Sequence, residues 1–243
     1  MSKSNLVALV TGANKGIGLE ISRQLASKGA FVFLGARDQK RGEAAAAELT
    51  AAGLEVAYLA VDLNDIEGIA TAASTIEARY GRLDILINNA GIVDPRDGPP
   101  SSASPEAARR ILETNFIGTL AVTQAMLPLL KQSGAGRIVN VSSSLGSLTL
   151  NGDASSPYYS ARLIAYNASK AALNMLTIQL AEELRGTPIV VNSVSPGYVQ
   201  TDLTGHQGFM TAEEGARLPV EYALLGPSAV TGRFVEPGQE TPW

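Results

Sequence analysis

The fold is decided by residues 6–18, which read Leu6-Val7-Ala8-Leu9-Val10-Thr11-Gly12-Ala13-Asn14-Lys15-Gly16-Ile17-Gly18. The first five are a continuous apolar run, which is typical of a strand buried on both faces. Three glycines follow, and residues 19–28 continue with apolar side chains at helical spacing. A strand, a glycine turn and a helix start form a cradle in which backbone amides and the helix dipole bind a pyrophosphate. The stretch predicts a dinucleotide site, although three glycines alone also occur in purely structural turns.

A second strand is predicted at Ala30–Ala36, and it ends beside Arg37. A free ribose 2′-hydroxyl is usually held by an acid at this strand end, whereas a 2′-phosphate favours a nearby arginine. Arg37, Arg41 and Lys15 therefore favour NADPH over NADH as the cofactor. In the alternative interpretation, Arg37 and Arg41 are solvated charges that pair with acids at the start of the next helix.

The alternation of strands and helices continues to the end of the sequence. Further strands are predicted at 54–61, 83–87, 137–141, 187–195 and 230–235, with helices at 39–52, 64–80, from Pro105 onward and at 165–184. This order predicts an α/β Rossmann fold, in which helices cover both faces of a doubly wound, seven-stranded parallel sheet. We expect a single domain over residues 1–243, with a cofactor half at about 1–145 and a catalytic and substrate half at about 146–243.

Tyr166 and Lys170 lie four residues apart in the predicted helix 165–184, so their side chains share one helix face. A free tyrosine has a pKa near ~10, which is too high for proton transfer at neutral pH. A lysine charge about 4 Å away, at an effective dielectric of about 20, favours the phenolate by roughly 4 kcal/mol and brings the pKa towards ~7. The pair predicts a catalytic acid, although the same spacing also arises by chance on half-buried helices.

Composition and charge exclude several other functions. The chain has 243 residues, of which 45% are hydrophobic and 17% charged, as expected of a globular domain. With no cysteine and one histidine, His206, we expect no disulfide framework, no metal site and no Ser-His triad. A net charge of -4 gives no general attraction to nucleic acid or to a membrane. The apolar run at 6–10 is too short for a signal peptide or a membrane span, so we expect a cytoplasmic protein.

Taken in order, these motifs resemble the short-chain dehydrogenase/reductase family over nearly the whole chain. Besides the glycine loop, the resemblance rests on Asp62, Asn88-Asn89-Ala90-Gly91, Asn115, Ser142-Ser143-Ser144, Tyr166 with Lys170, and Pro196-Gly197. The glycine loop, Ala36-Arg37-Asp38, residues 195–202 and residues 213–216 are most similar to the NADPH-dependent carbonyl reductases of that family. The resemblance implies an oxidoreductase that uses NADPH to reduce a small ketone or aldehyde to an alcohol.

The resemblance implies four catalytic residues. Tyr166 would donate a proton to the developing alkoxide while the nicotinamide delivers hydride to the carbonyl carbon. Lys170 would lower the pKa of Tyr166 and hydrogen-bond the nicotinamide ribose, and Asn115 would hold a water that links this lysine to solvent. Ser143 would hydrogen-bond the substrate oxygen, whereas the serines on either side of it would be structural. Fixed donors of this kind stabilise charge that grows in a transition state.

The resemblance also implies the cofactor contacts. Asp62 and Leu63 would bracket the adenine, Asn89 would contact the adjacent ribose, and Val199 and Thr201 would contact the nicotinamide amide. The full set of expected cofactor-binding residues is Gly12, Asn14, Lys15, Gly16, Ile17, Gly18, Arg37, Arg41, Asp62, Leu63, Asn89, Ala90, Gly91, Tyr166, Lys170, Pro196, Gly197, Val199 and Thr201.

The segment between Ser143 and Tyr166 is longer than in the commonest members of the family. In many relatives the helix that carries the tyrosine packs between subunits, so a monomer and a homo-oligomer both stay open. The longer segment also contains a rival pair, Tyr158 and Arg162, at the same spacing of four residues. Because a bulky guanidinium is a poor substitute for an ammonium in a narrow cofactor site, we expect Tyr166 to be the acid.

Three functions stay open beside one another. The first is a general NADPH-dependent carbonyl reductase, and the second is a 3-oxoacyl-carrier-protein, steroid or polyketide ketoreductase. An acyl-carrier partner requires a basic patch, for which Arg96, Arg109 and Arg110 are the candidates unless they are simply solvated. The third is an NADP-sensing regulator without turnover, and such proteins commonly lack the tyrosine or the lysine. Loops set substrate choice in such folds, here residues 94–104, the longer segment and residues 198–217.

Overall fold

The computed structural model describes residues 6–226 and 229–243, so residues 1–5, 227 and 228 of the expected domain lie outside the described part. An eight-stranded sheet has the strand order β3-β2-β1-β4-β5-β6-β7-β8. The strands are β1 (Leu6–Thr11), β2 (Ala30–Ala36), β3 (Val56–Ala60), β4 (Ile85–Asn88), β5 (Arg137–Val141), β6 (Val190–Val194), β7 (Phe234–Glu236) and β8 (Gln239–Glu240). The Rossmann-like α/β fold expected from the sequence is confirmed.

The eighth strand departs from the expected sheet of seven parallel strands. β1 to β7 are parallel, but β8 pairs antiparallel with β7. The turn between β7 and β8 contains Gly238, whose φ of 85° suits a glycine. β8 has only two residues, which is too short to give a periodic sequence signal. β7 also begins at Phe234, later than the expected start at residue 230.

The helices alternate with the strands as the sequence indicates. They are α1 (Gly16–Ser27), α2 (Gln39–Ala51), α3 (Ile66–Tyr80), α4 (Pro105–Leu112), α5 (Thr119–Lys131), α6 (Leu148–Gly152), α7 (Ile164–Glu183) and α8 (Ala212–Ala223). A π-helical segment, Glu113–Gly118, joins α4 to α5, and a 3-10 turn, Ser144–Gly146, follows β5. Across the described ranges, each helix lacks the length or the apolarity needed to cross a membrane.

The sheet separates two hydrophobic cores because successive strand residues point to opposite faces. In β1, Val10 belongs to one core and Leu9 to the other. The first core is completed by residues of α1, α2 and α8, such as Ile21, Leu49 and Val220. The second is completed by residues of α3, α5 and α7, such as Ile76, Met126 and Leu180. Both faces of the sheet are therefore covered by helices, as in a doubly wound fold.

The position of β1 between β2 and β4 fixes where a ligand can bind. The strand order reverses at this point, so the connections after β1 and β4 leave to opposite faces and open a crevice at the carboxyl ends of the strands. Strands from both expected halves join the same sheet, because β6 pairs with β5. The division near residue 146 stays a prediction.

The turn after β5 packs closely on α7 at Gly146, which yields a test of the packing. A Cβ at this position would lie 2.7 Å from the carbonyl carbon of Lys170 and 2.8 Å from its Cβ. Because helix backbone cannot move aside easily, Gly146→Ala is expected to lower the free energy of unfolding by about 1–3 kcal/mol. Denaturant unfolding measures the change. Gly134→Ala is the matched control, since its Cβ would meet no described atom within 4 Å. Equal losses in both variants would contradict the close approach.

Candidate active site

A cleft of about 910 Å³ opens at the carboxyl ends of the parallel strands. It contains every expected cofactor-binding residue except Arg41, and it also contains Ser143. Sequence reasoning did not assign several other residues of its wall, among them Asn64, Ile92 and Val93. These side chains lie in turns and loops whose paths have no periodic signal, so only the folded chain places them here.

The glycine loop packs closely on the segment after β4, and a side chain would not fit between them. Gly12 has a φ of 63°, and a Cβ on it would lie 2.8 Å from the Cα of Ala90. At Gly18, a Cβ would lie 2.5 Å from the Gly12 carbonyl oxygen. The side-chain amide of Asn89 donates to that same oxygen at 3.2 Å and fixes the turn. α1 begins after Lys15, whose side chain carries no acceptor and makes no capping hydrogen bond, so the first backbone amides of α1 are available to an anion.

Tyr166 and Lys170 are both buried in the wall of the cleft. Their exposed fractions are 8% and 4%. The Lys170 Nζ lies 5.7 Å from the centroid of the Tyr166 ring and donates a hydrogen bond of 2.8 Å to the carbonyl oxygen of Val141. The ammonium is therefore held at the end of β5, beside the ring of the phenol.

The pKa of Tyr166 differs from the expected value near 7. Burial raises the pKa of Tyr166 to about 12, and a hydrogen bond with Ser143 opposes this rise. Burial also lowers the pKa of Lys170 to about 8. The sequence estimate counted only the attraction between lysine and phenolate, whereas the loss of hydration dominates in the folded chain.

The three serines after β5 have separate environments. Ser142 donates to Oδ1 of Asn174 at 2.7 Å, and Ser144 donates to Oε2 of Glu236 at 2.6 Å. Both are buried, and these contacts suit the structural roles expected of them. Ser143 lies in the wall of the cleft beside the phenol of Tyr166. The structure thus places Ser143, Tyr166 and Lys170 together.

Asn115 lies in the π-helical segment, behind the residues that form the wall of the cleft. Its Oδ1 accepts from the backbone amide of Ile92 at 2.8 Å, and its Nδ2 donates to the Ile92 carbonyl at 3.0 Å. The same Nδ2 donates to Ser169 Oγ at 3.0 Å. The side chain therefore holds the segment after β4 against α7. The water-holding role expected of Asn115 stays a prediction.

The rival tyrosine, Tyr158, is engaged elsewhere. Its hydroxyl donates to Oε2 of Glu236 at 2.7 Å. Burial raises the pKa of Tyr158, and the hydrogen bond to this carboxylate raises it further. The guanidinium of Arg162, the expected partner of Tyr158, instead stacks on the ring of Tyr159 at 4.2 Å. Tyr158 also lies outside the residues that form the cleft wall. The contacts of the two tyrosines favour Tyr166 as the acid.

The three cations expected at the cofactor phosphate separate in the structure. Arg37 and Lys15 lie in the cleft wall, and Lys15 forms an ion pair with Asp202. Arg41 is not among the residues of the cleft wall, and its exposed side chain has its Nε 3.9 Å from Oδ2 of Asp38. The position of Arg41 thus fits the alternative interpretation, a solvated charge paired with an acid at the start of the next helix. That acid is Asp38, which caps α2 by accepting a hydrogen bond from the Arg41 amide.

The arginines considered for an acyl-carrier partner are paired with acids. The side chains of Arg96 and Arg110 both form ion pairs with Asp94. The backbone amide of Arg96, followed by the side chain of Arg110, donates hydrogen bonds that lower the pKa of the Asp94 carboxyl to about 2. Arg109 lies 3.8 Å from Glu106. The surface around them thus carries compensating charges.

The strand order, the glycine cradle and the buried tyrosine–lysine pair define a Rossmann-type oxidoreductase. A family model described as short chain dehydrogenase matches residues 6–210. The chain therefore belongs to the short-chain dehydrogenase/reductase family, as its motifs indicated.

Named relatives are similar over nearly the full chain. A short-chain dehydrogenase of Penicillium roqueforti is 40% identical over 240 residues, covering 95% of this chain and 93% of the relative. The mouse carbonyl reductase [NADPH] 1 is 35% identical over 282 residues and covers 100% of both chains. The solved structure of an actinorhodin polyketide ketoreductase with NADPH has a TM-score of 0.85 and 29% identity, covering 97% of each chain.

The buried ammonium of Lys170 predicts a pH dependence of stability. Its pKa is about 8 in the folded chain against an ordinary 10.5, so the unfolded chain binds more protons between these values and stability rises with pH there. From pH 7.5 to 9.5, the free energy of unfolding of the wild type is expected to rise by about 2 kcal/mol relative to Lys170→Met. Denaturant unfolding of both proteins over this range measures the difference. Parallel pH profiles would contradict the lowered pKa.

Proposed function

We propose that this protein is an NADPH-dependent carbonyl reductase, which reduces a ketone or aldehyde to an alcohol and catalyses the reverse oxidation. The observation that carries the proposal is the buried pair Tyr166 and Lys170 with Ser143 beside it, in a cleft that also contains the glycine loop. One end of the cleft thus suits a dinucleotide, and the other offers fixed donors to a carbonyl oxygen.

The glycine loop supports a dinucleotide cofactor on steric grounds. Gly12 and Gly18 let the loop pack closely on itself and on the segment after β4, since a Cβ at either position would clash there. The first amides of α1 then face the cleft wall without a capping side chain and would donate hydrogen bonds to a pyrophosphate. Arg37, which directly follows β2 and lies in the cleft wall, would pair with a 2′-phosphate. The NADPH in the name of the similar mouse carbonyl reductase supports the same choice. When bound, NADPH supplies the hydride.

The protein's own groups would manage the proton. Burial keeps Tyr166 protonated at neutral pH, because its pKa is about 12, and a proton donor needs this form. Tyr166 and Ser143 would both hydrogen-bond the carbonyl oxygen, which takes the phenol proton as negative charge grows on it. Lys170, with a pKa of about 8, is mainly protonated at pH 7 and would stabilise the phenolate that remains.

A polyketide or 3-oxoacyl-carrier-protein ketoreductase is the second candidate, favoured by the similarity to the actinorhodin polyketide ketoreductase. It would use the same reaction and the same residues on a carrier-bound substrate. The charge pairing of Arg96 and Arg110 with Asp94 weakens the basic patch that an acidic carrier requires. A sensor without turnover is disfavoured because Tyr166 and Lys170 are both present and adjacent.

Replacement of the proposed proton donor tests the reaction. Tyr166→Phe removes the hydroxyl that would protonate the product, so kcat is expected to fall by about 100-fold or more. Loss of NADPH absorbance with ketones and aldehydes measures turnover, and quenching of protein fluorescence measures NADPH binding, which should persist.

Tyr158→Phe is the matched control, because it removes a phenol hydroxyl bonded to Glu236 outside the cleft. It should keep most of the turnover. If Tyr166→Phe turned over substrate at nearly the wild-type rate, the assignment of the acid would be wrong. Binding of NADPH by a wild type that consumed none of it would favour the sensor instead.

The choice of cofactor depends on Arg37 in this proposal. Arg37→Ala would remove a charged hydrogen bond to the 2′-phosphate, so the KM for NADPH should rise about 10-fold or more while the KM for NADH changes little. Steady-state kinetics with both cofactors measure the effect. Arg41→Ala is the control, since its side chain lies outside the cleft wall. If Arg37→Ala raised the KM for NADH as much as the KM for NADPH, or if Arg41→Ala had the same effect as Arg37→Ala, a 2′-phosphate contact at Arg37 would be contradicted.

A further inference from the structure

The helix that carries Tyr166 begins without a capping side chain of its own. α7 starts at Ile164, and the residue before it, Leu163, has no side-chain acceptor. The first amides of a helix have no partner inside the helix and need acceptors from elsewhere. A hydrogen bond of 2.8 Å from the amide of Asn167 to the Leu163 carbonyl marks the first turn. The amides of residues 164–166 therefore depend on another part of the chain.

The loop after β4 supplies these acceptors. The Ile164 amide donates to the carbonyl of Gly98 at 3.1 Å. The Ala165 amide donates to Oδ1 of Asp97 at 3.0 Å, and the Tyr166 amide donates to Oδ2 of Asp97 at 2.9 Å. Both carboxylate oxygens are therefore used, and one of them holds the backbone of the proposed proton donor. Asp97 lies 69 residues before Tyr166, so this cap joins two distant segments.

The same loop is anchored on its other side. The amide and carbonyl of Ile92 are both bonded by the side chain of Asn115. Asp94 then bonds to Arg110 on α4. Val93 of this segment and Leu163 before α7 both lie in the wall of the cleft. A substrate in the cleft would thus contact a loop that is fixed at one end to α4 and the π-helical segment, and at the other to α7.

We propose that Asp97 is a positioning residue, which couples the loop after β4 to the start of α7 and thereby sets where a carbonyl substrate lies against the phenol of Tyr166. This inference rests on the proposed reductase function. A carboxylate is needed because two acceptor atoms must face two separate amides. An asparagine would present an amide group to one of them, and an alanine would leave both without this partner.

The test uses Asp97→Ala and Asp97→Asn in the full-length protein. Because misplacement of reacting groups by about 1 Å can cost 100-fold in rate, kcat/KM for acetophenone, cyclohexanone or hexanal should fall about 100-fold in the alanine variant and about 10-fold in the asparagine variant. The Kd for NADPH, measured by fluorescence, should stay within about twofold, since the glycine loop is unchanged. Hydrogen exchange at the amides of residues 164–166 should become faster.

Asp65→Ala is the matched control, because Asp65 caps α3 by accepting from the Gly68 amide at 3.0 Å within its own helix start. It should lose stability but keep its kcat/KM for the carbonyl. A purely structural role for Asp97 would make its variants behave like this control, with ordinary kcat/KM despite faster exchange, and would overturn the proposal. Unchanged exchange in Asp97→Ala would overturn it as well. A wild type inactive with NADPH on all three carbonyls would instead count against the proposed function, while the exchange result would still test the cap.

Discussion

The hydrogen bond from the Lys170 ammonium to the carbonyl oxygen of Val141 fixes the geometry on which the rest of the site depends. A buried ammonium has lost its hydration and must find acceptors within the protein. Val141 is the last residue of β5, so the bond ties α7 to the edge of the sheet where the strands end. The close contact of Gly146 with the Lys170 backbone holds the serine turn, residues 142–146 after β5, against the same helix. The contacts between the end of β5, the turn after it and α7 therefore fix the positions of Tyr166, Lys170 and Ser143 together.

Parallel pairing explains why motifs far apart in the sequence meet at this region. Each connection between parallel strands must return to the starting end of the sheet, so the segments that follow β1, β4, β5 and β6 lie along one edge. Because the strand order reverses between β1 and β4, the segment that follows β1 is separated by a crevice from the segments that follow β4 and β5. The glycine loop lies on one side of the crevice, and the serine turn and α7 lie on the other, so a ligand between them would touch both.

Local patterns in the sequence were sufficient for the Rossmann fold and for part of the cleft wall, and the family resemblance added further wall residues such as Val199 and Thr201. The glycine loop and the spacing of Tyr166 and Lys170 are local, and α7 spans Ile164–Glu183 where 165–184 was expected. Sequence spacing could not show that burial outweighs the lysine charge at the phenol, because burial depends on the whole fold. It also missed the cap at Asp97, which comes from a distant loop. Nor could it show that Arg41 lies outside the cleft wall beside Asp38, because that position depends on the folded path of the chain.

Burial raises the pKa of Tyr166 to about 12 and lowers the pKa of Lys170 to about 8. In both cases burial favours the uncharged form of the side chain. In the proposed reaction the phenol keeps its proton until the carbonyl oxygen becomes basic enough to take it. The phenolate that forms then faces an ammonium in surroundings of low dielectric, where their attraction is far stronger than in water. Because this attraction appears only as charge develops, it lowers the barrier without tightening the binding of substrate. In a solvent-exposed pair, water would weaken the attraction between phenolate and ammonium. The transition state would then gain less stabilisation relative to the ground state.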